Sequence, residues 1–191
     1  GLALLLVLSL LVARQEAAGA VIIVDLDTAS DFAVLGGSAI TITGPTTITG
    51  DIGSFPTPTI TGFENVTLDG VNHAGVAFTQ QAQLDLATAY TDAAGRTPTT
   101  VFGDVFDLGG LTLISGVYRD NTSFGITGTL TLDAAGDPNA VWIFQAGSTL
   151  ITAAGSTVNL IGGARASNVY WQVGSSATLG SGTDFAGSIM A

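Results

Sequence analysis

Few side chains in this sequence could carry out acid–base or metal chemistry. His73 is the single histidine and cysteine is absent, so a catalytic triad or a histidine metal site would have to be built on His73 alone. Paired carboxylates, which can bind Ca²⁺ or act in general acid–base catalysis, occur at Asp25 with Asp27 and at Asp104 with Asp107. Their spacing fits neither an EF-hand loop nor an RTX-type repeat. We therefore interpret them as solvated turn residues, and His73 as a surface or capping residue.

The motifs and the charge exclude several classes of function. The sequence contains neither G-x-x-x-x-G-K-[ST] nor G-x-G-x-x-G, the common phosphate-binding loops. Four Lys and Arg against 15 Asp and Glu give a net charge of −11, which argues against nucleic acid and anionic membranes, because both require basic patches. This charge also favours solubility and repulsion between copies, and hence a monomer. The residues and motifs considered so far therefore give little basis for a metal site or a catalytic site.

The side chains that remain for function are hydroxyls, which alternate along predicted strands. They form the sets Thr41/Thr43, Thr47/Thr49 and Thr127/Thr129/Thr131. Residues i and i+2 of a strand lie about 6.6–6.8 Å apart on one face, and neighbouring strands about 4.7–4.9 Å apart. Because threonine is stiff at χ1, stacked strands of this kind give a flat, ordered grid that suits a periodic solid. The alternative is that threonine is merely a favourable residue for exposed strands.

An internal repeat predicts how these strands are stacked. Gln145-Ala146-Gly147-Ser148 returns 27 residues later as Gln172-Val173-Gly174-Ser175. Three Gly-(Ser/Thr) steps keep the same spacing: Gly128-Thr129, Gly155-Ser156 and Gly182-Thr183. A period of about 20–30 residues is typical of a solenoid, in which each unit is one coil that cannot bury its apolar side alone. Apolar residues alternate within each unit, so the coils are predicted to consist of strands.

Two segments depart from the repeat. Residues 1–20 hold the apolar run Leu2–Val12 and the A-x-A-like site Ala18-Gly19-Ala20, which together predict an export signal without its N-terminal part; a buried strand or helix is the alternative. In the segment Gly75–Arg96, apolar residues at about every fourth position predict one α-helix of roughly 20 residues, with Asn72 as N-cap. The remaining residues, 21–191, are predicted to form one solenoid domain.

Four long segments resemble the microbial ice-binding proteins of the DUF3494 type. They are Asp31–Ser38, Thr43–Gly53, Ala140–Gln145 and Asn168–Gly180. The resemblance implies a mainly β fold, a right-handed discontinuous parallel β-solenoid with one long α-helix packed alongside. It also implies a secreted antifreeze protein that adsorbs to ice, lowers the freezing point and inhibits recrystallisation, without a cofactor or a catalysed reaction.

In this family the ice-binding side is generally one flat face of the solenoid. The repeat register predicts that Thr129, Ser156 and Thr183 stack as one ladder, although Asp184 brings a charge next to it. The residues predicted to form the ice-binding face are Thr43, Thr46, Thr127, Thr129, Thr131, Ser156, Thr157, Thr178 and Thr183.

Family members usually carry a further strand-rich segment beyond the position of Met190-Ala191. The resemblance therefore implies either a fragment or a last coil with an open edge. Two other classes of function stay open at this point. One is a structural or adhesive solenoid that binds glycan or a cell surface, and the other is an enzyme of the polysaccharide-lyase type, which needs a groove lined with acids and arginine.

Overall fold

The computed structural model describes residues 21–191, and the predicted export signal lies outside the described residues. Every strand pair in this part of the chain is parallel. Parallel pairing cannot be closed by a hairpin, because each strand must be reached by a crossover connection. Here the crossovers are themselves strands of other sheets, which is the arrangement of a β-solenoid.

The first coils form an N-terminal unit of three two-stranded sheets, in which β1 pairs with β4, β2 with β5 and β3 with β6. Its strands are β1 (Phe32–Gly36), β2 (Ile40–Thr41), β3 (Thr46–Thr49), β4 (Asp51–Ser54), β5 (Ile60–Thr61) and β6 (Val66–Asp69). Single turns of 3-10 helix lie at Asp27–Asp31 and Phe63–Asn65. The α-helix α1 (Ala77–Gly95) follows this unit.

The later coils form a C-terminal stack of three larger sheets. Their strands are β7 (Thr100–Val101), β8 (Phe106–Asp107), β9 (Thr112–Leu113), β10 (Gly116–Asp120), β11 (Phe124–Ile126), β12 (Thr129–Asp133), β13 (Trp142–Ala146), β14 (Thr149–Thr152), β15 (Thr157–Ile161), β16 (Val169–Val173), β17 (Ser176–Thr178) and β18 (Ser188–Met190). A short 3-10 turn, Ala166–Asn168, precedes β16. The chain visits the sheets in rotation, so the sheet orders are β7-β10-β13-β16-β18, β8-β11-β14-β17 and β9-β12-β15.

The N-terminal unit and the C-terminal stack share no ladder, which makes the solenoid discontinuous, as predicted. The alternation of side chains explains why each coil needs its neighbours. In the C-terminal stack, Tyr118, Phe144 and Trp171 lie opposite one another in register and stack with ring centroids 5.4 Å and 4.0 Å apart. Such offset stacks add to the stabilisation that comes from burying the rings. A single coil would leave these rings in water.

Helix α1 lies against the sheet that contains β13 and β16, as the predicted flanking helix should. It begins and ends within two residues of the predicted bounds. Its buried side is made of small residues, Thr79, Ala82, Ala89 and Ala93, which let the helix approach the sheet closely. The predicted N-cap at Asn72 is wrong: Val76 precedes the helix without a side-chain cap, and the Asn72 amide oxygen accepts a hydrogen bond from Ala74 N instead (3.0 Å).

The repeated glutamines hold this helix in place. The Gln145 side chain donates from Nε2 to the backbone oxygens of Ala93 (2.7 Å) and Arg96 (2.8 Å) at the end of α1. Gln172, one coil later, donates to the Tyr90 hydroxyl (2.8 Å). The last carbonyls of a helix have no partner within the helix. The repeat at residues 145 and 172 therefore fixes the contact between the sheet and the helix end.

Candidate functional site

The C-terminal stack has three sheets. Helix α1 covers the outer side of one of them, and the outer sides of the other two are open to solvent. We call the outer side of the sheet β8-β11-β14-β17 the β8–β17 face, and the outer side of the sheet β9-β12-β15 the β9–β15 face. Alternation along each strand decides which side chains point outwards. These two faces are the candidate functional surfaces.

The first row of the β8–β17 face begins with Val105, which is 71% exposed beside β8, and continues with hydroxyls on the next three coils. Ser123, Thr149 and Ser176 follow one another on successive coils; Thr149 is paired with Ser176, and its Oγ1 donates to Ser123 Oγ (2.7 Å). Adjacent strands of a sheet lie about 4.7–4.9 Å apart. The row is therefore a ladder of hydroxyl groups with the coil spacing, and one hydrogen bond fixes the rotamers of two of its members.

The second row of the same face mixes polar and apolar residues. It contains Asp107, Gly125, Ile151 and Thr178, which the register of the four strands places opposite one another. Ile151 is 52% exposed in the middle of the face. A side chain of this size is usually withdrawn from water. Its exposure between hydroxyl-bearing residues gives the face both apolar and hydrogen-bonding groups.

Asp107 is the one carboxylate in these two rows, and it is tied to the backbone. Its Oδ1 accepts hydrogen bonds from Gly109 N and Thr127 N, both at 2.9 Å. Partial burial pushes the pKa of the Asp107 carboxyl up, but the hydrogen bonds from Gly109 and Thr127 outweigh it, so the pKa lies below its usual value. The negative charge lies on β8, at the edge of the sheet, and it stabilises both the turn at Gly109 and the corner at Thr127 in the next coil.

The β9–β15 face also carries threonines, but more charge. One row runs from Thr129 through Thr157 to Asp184. The next row contains Thr112, Thr131 and Asn159, and Asp133 lies at the end of β12. Two carboxylates thus stand within a small grid. Dehydrating an ionised carboxylate is costly, so these two groups make the β9–β15 face harder to free of water.

The predicted ladder of Thr129, Ser156 and Thr183 is wrong. Ser156 is 1% exposed and donates to the backbone oxygen of Ile126 in the coil below (3.0 Å). Thr183 turns to Thr152, with 2.8 Å between the two hydroxyl oxygens. The cause is the corner before β15, residues 153–156, which contains two residues more than the corner before β12, residues 127–128. Thr129 therefore pairs with Thr157, and Ser156 lies inside the corner.

The other predicted residues are divided between different surfaces. Thr178 lies on the β8–β17 face, and Thr127 is exposed at the corner beside it. Thr131 and Thr157 belong to the β9–β15 face. In the N-terminal unit, Thr43 is exposed after β2, whereas Thr46 alternates with the outward Thr47 and donates to Gly44 O (3.2 Å). The nine predicted residues do not form one plane.

The prediction missed Ser123, Thr149 and Ser176. A signal for two of them was available, because Thr149 and Ser176 directly follow the two copies of the Gln-x-Gly-Ser repeat and stand 27 residues apart. Ser123 lies in a coil that lacks this repeat. Its place in the row becomes visible only from the pairing of Phe124 with Leu150.

The remaining chemistry-bearing residues have structural roles. His73 Nε2 lies 2.9 Å from Asp51 Oδ2, and the imidazole packs edge-on against Phe78 with ring centroids 5.0 Å apart. Asp25 accepts a hydrogen bond from the backbone of Asp27 (3.0 Å). Within residues 21–191, no group of three or more His, Asp or Glu is placed to hold a metal ion. In the same range, no helix is both long and apolar enough to cross a membrane.

Comparison with known proteins agrees with this architecture. A family model described as Ice-binding-like matches residues 34–191. The chain belongs to the ice-binding-like family. One member of the family, an ice-binding protein from Nostoc sp. (strain HG1), is 48% identical over 177 residues, which cover 93% of this chain and 65% of the Nostoc protein. The chain thus spans just under two thirds of the length of that relative.

Solved structures of the ice-binding-like family have the same fold. The crystal structure of an ice-binding protein from an Antarctic biological consortium matches with a TM-score of 0.86 and 44% identity, over 91% of this chain and 78% of the other. The structure of an ice-binding protein from the Antarctic ascomycete Antarctomyces psychrotrophicus also gives 0.86, at 39% identity, over 90% and 83% of the two chains. Both the fold and the family that the sequence predicted are confirmed.

Proposed function

We propose that this chain is an exported, non-enzymatic ice-binding protein that adsorbs to ice through its β8–β17 face. Its family and the names of its relatives support the ice-binding role. The observation that carries the choice of face is the register of the four strands. It sets Ser123, Thr149 and Ser176 in one ladder, beside a second row with Ile151 and Thr178.

Such a face would order water in two ways. Hydroxyls at the coil spacing donate and accept hydrogen bonds in a regular pattern, and the methyl groups of threonine and isoleucine hold caged water between them. Each contact is weak, but many act together, so that adsorption is effectively irreversible. Ice then grows only between bound molecules, as a curved front, and this lowers the temperature at which growth proceeds.

The charge distribution favours the β8–β17 face over the β9–β15 face. The latter presents Asp133 and Asp184 among its threonines. A carboxylate binds water strongly in its own geometry, and moving it against ice costs hydration. On the β8–β17 face, the one carboxylate of the two rows, Asp107, lies on the edge strand and is satisfied by two backbone N–H groups.

The proposal predicts activity and its location on the surface. Purified protein should show thermal hysteresis and should inhibit ice recrystallisation. Thr178→Tyr and Ser176→Tyr place a bulky ring on exposed positions of the β8–β17 face and should each abolish most of the hysteresis. Thr129→Tyr, on the exposed β9–β15 face, is the matched control and should retain it. Circular dichroism checks that all three variants are folded.

The outcomes separate the possible surfaces. If Thr129→Tyr loses activity while Thr178→Tyr keeps it, the site lies on the β9–β15 face, where Thr129, Thr131 and Thr157 were predicted to act. Absence of hysteresis in the folded wild-type protein would refute ice binding itself. Binding to glycans without any hysteresis would favour the adhesive alternative, although within residues 21–191 no aromatic ring is fully exposed as a platform for sugar.

Export is the second part of the proposal. It rests on the apolar run Leu2–Val12 and the cleavage-like site Ala18-Gly19-Ala20. Expression of the full chain in a secreting cell, followed by N-terminal sequencing of the protein in the medium, tests it. We expect a mature N-terminus close to residue 21, and retention of the uncleaved chain inside the cell would contradict export.

A further inference from the structure

The sequence contains two N-x-(S/T) sequons, Asn65-Val66-Thr67 and Asn121-Thr122-Ser123. This motif is the acceptor for N-linked glycans in exported proteins, provided that it lies on an accessible surface. Both asparagines are exposed. The surroundings of the two sequons differ, and the difference decides which of them is open to modification.

The side chains of the sequon at Asn121 are engaged in hydrogen bonds within the protein. Asn121 Oδ1 accepts a hydrogen bond from Arg119 Nε (3.1 Å). The Thr122 hydroxyl donates to Asp120 Oδ1 (2.8 Å) and accepts from Val105 N (2.8 Å). Ser123 belongs to the hydroxyl row of the β8–β17 face. A transferase must contact the amide and the hydroxyl two residues later; here Arg119 engages the Asn121 amide, and Thr149 of the next coil engages the Ser123 hydroxyl.

The sequon at Asn65 is open. Asn65 ends the 3-10 turn Phe63–Asn65 and leads into β6, and both Asn65 and Thr67 are exposed. Within residues 21–191, neither side chain takes part in a hydrogen bond. Thr67 lies opposite Thr47 on the outward side of its sheet. The amide nitrogen and the hydroxyl therefore remain available together.

The position of Asn65 is also compatible with ice binding. β6 is the third strand of its coil, the place that β9, β12 and β15 hold in the C-terminal stack. A glycan at Asn65 would stand on the sheet β3-β6 of the N-terminal unit, which is separate from the sheet of the β8–β17 face. A glycan at Asn121, two residues before Ser123, would stand at the border of the β8–β17 face.

We propose that Asn65 is an N-glycosylation acceptor, a proposal that rests on the export proposed above. The donor is an oligosaccharide linked to a lipid pyrophosphate. Asn65 Nδ2 attacks C1 of the first sugar, the new N–C bond forms as the C1–O bond to the pyrophosphate breaks, the lipid pyrophosphate leaves, and the proton from Nδ2 passes to a base of the transferase. No oxidation or reduction takes place.

The test uses the full chain, with an initiating methionine, in a yeast that secretes and glycosylates proteins. The intact mass of the secreted protein is measured before and after treatment with peptide N-glycosidase, which releases the glycan and leaves aspartate at the attachment position. We expect one glycan on the wild-type protein and on Asn121→Gln, and none on Asn65→Gln. Thr67→Ser should retain the glycan, whereas Thr67→Ala should lose it.

The results distinguish this inference from the proposals on which it rests. A secreted wild-type protein with the bare polypeptide mass, or a glycan lost in Asn121→Gln and kept in Asn65→Gln, overturns it. If the chain stays inside the cell, export fails, and the same masses are then measured on residues 21–191 behind the yeast's own signal sequence. Thermal hysteresis is recorded separately, and Asn65→Gln should leave it unchanged.

Discussion

The hydrogen bonds of Gln145 to the end of α1 allow a quantitative prediction. Replacing Gln145 by leucine keeps the strand position but removes the hydrogen bonds to the backbone oxygens of Ala93 and Arg96, so that Ala93 O keeps only the long bond from Arg96 N (3.4 Å). Each unsatisfied buried acceptor costs about 1–3 kcal/mol. In the wild-type protein, Gln145 Oε1 is itself a buried acceptor without a partner. The substitution removes this oxygen, and the gain in stability offsets the loss of about one of the two hydrogen bonds.

The net loss of stability is therefore about 2 kcal/mol for Gln145→Leu. For a chain of this length, each kcal/mol lowers Tm by about 2–4 °C, so we expect a decrease of about 4–8 °C. Gln172→Leu is the matched control. It loses a single bond, to the Tyr90 hydroxyl, which is half-buried and can bind water instead, so its cost should stay below about 1 kcal/mol.

The assay is urea and thermal unfolding of both variants, followed by far-ultraviolet circular dichroism. Both substitutions exchange an amide for an apolar side chain at the same register position of neighbouring strands, so effects of strand propensity cancel. Equal destabilisation by the two variants, or a gain in stability for Gln145→Leu, would show that the contact with the helix end is not what the repeated glutamine contributes.

Two further predictions concern the turns and the acid response. The pKa of Asp107 is lowered because hydrogen bonds from Gly109 and Thr127 outweigh its desolvation, and the pKa of Asp85 is lowered first by the hydrogen bond from the Thr28 hydroxyl. A folded-state pKa below the ordinary value of 3.8 means that this stabilisation is complete above about pH 4 and is lost as pH falls further. Urea unfolding at pH 6 and pH 3 should show it, with a smaller difference in Asp107→Ala; an equal difference would contradict the role of Asp107. Gly147→Ala would bring a Cβ against the backbone oxygen of Asn121 in the coil below and should cost about 1–3 kcal/mol, whereas Gly95→Ala, which meets open space at the helix end, should be neutral or slightly stabilising in the same unfolding assay.

The architecture was predictable because it depends on patterns that survive small changes in length. Alternation of apolar residues, a repeat of 27 residues and one helical segment are enough to predict parallel coils with a flanking helix. The family resemblance was equally robust, since it rests on long segments such as Asn168–Gly180.

The outward surface was harder to predict, because it depends on single residues at corners. Thr129 and Thr157 stand 28 residues apart and are paired, whereas Thr157 and Asp184 stand 27 apart and are also paired. A constant period of 27 therefore places Ser156 where Thr157 belongs, and a shift of one residue exchanges the two sides of a strand. The residue types do not reveal this error of one residue, because both threonine and serine can be exposed on a strand or can donate a hydrogen bond to a backbone oxygen inside a turn.

The aromatic stack in the core has a practical consequence for spectroscopy. Both tryptophans, Trp142 and Trp171, are buried in the C-terminal stack. The ring centroids of Trp171 and Phe144 are 4.0 Å apart. Indole emission therefore monitors the later coils alone and is blind to the first six strands. If emission and the circular dichroism of the whole chain change at the same temperature, the two halves of the solenoid melt as one cooperative body; if they change at different temperatures, the halves melt separately.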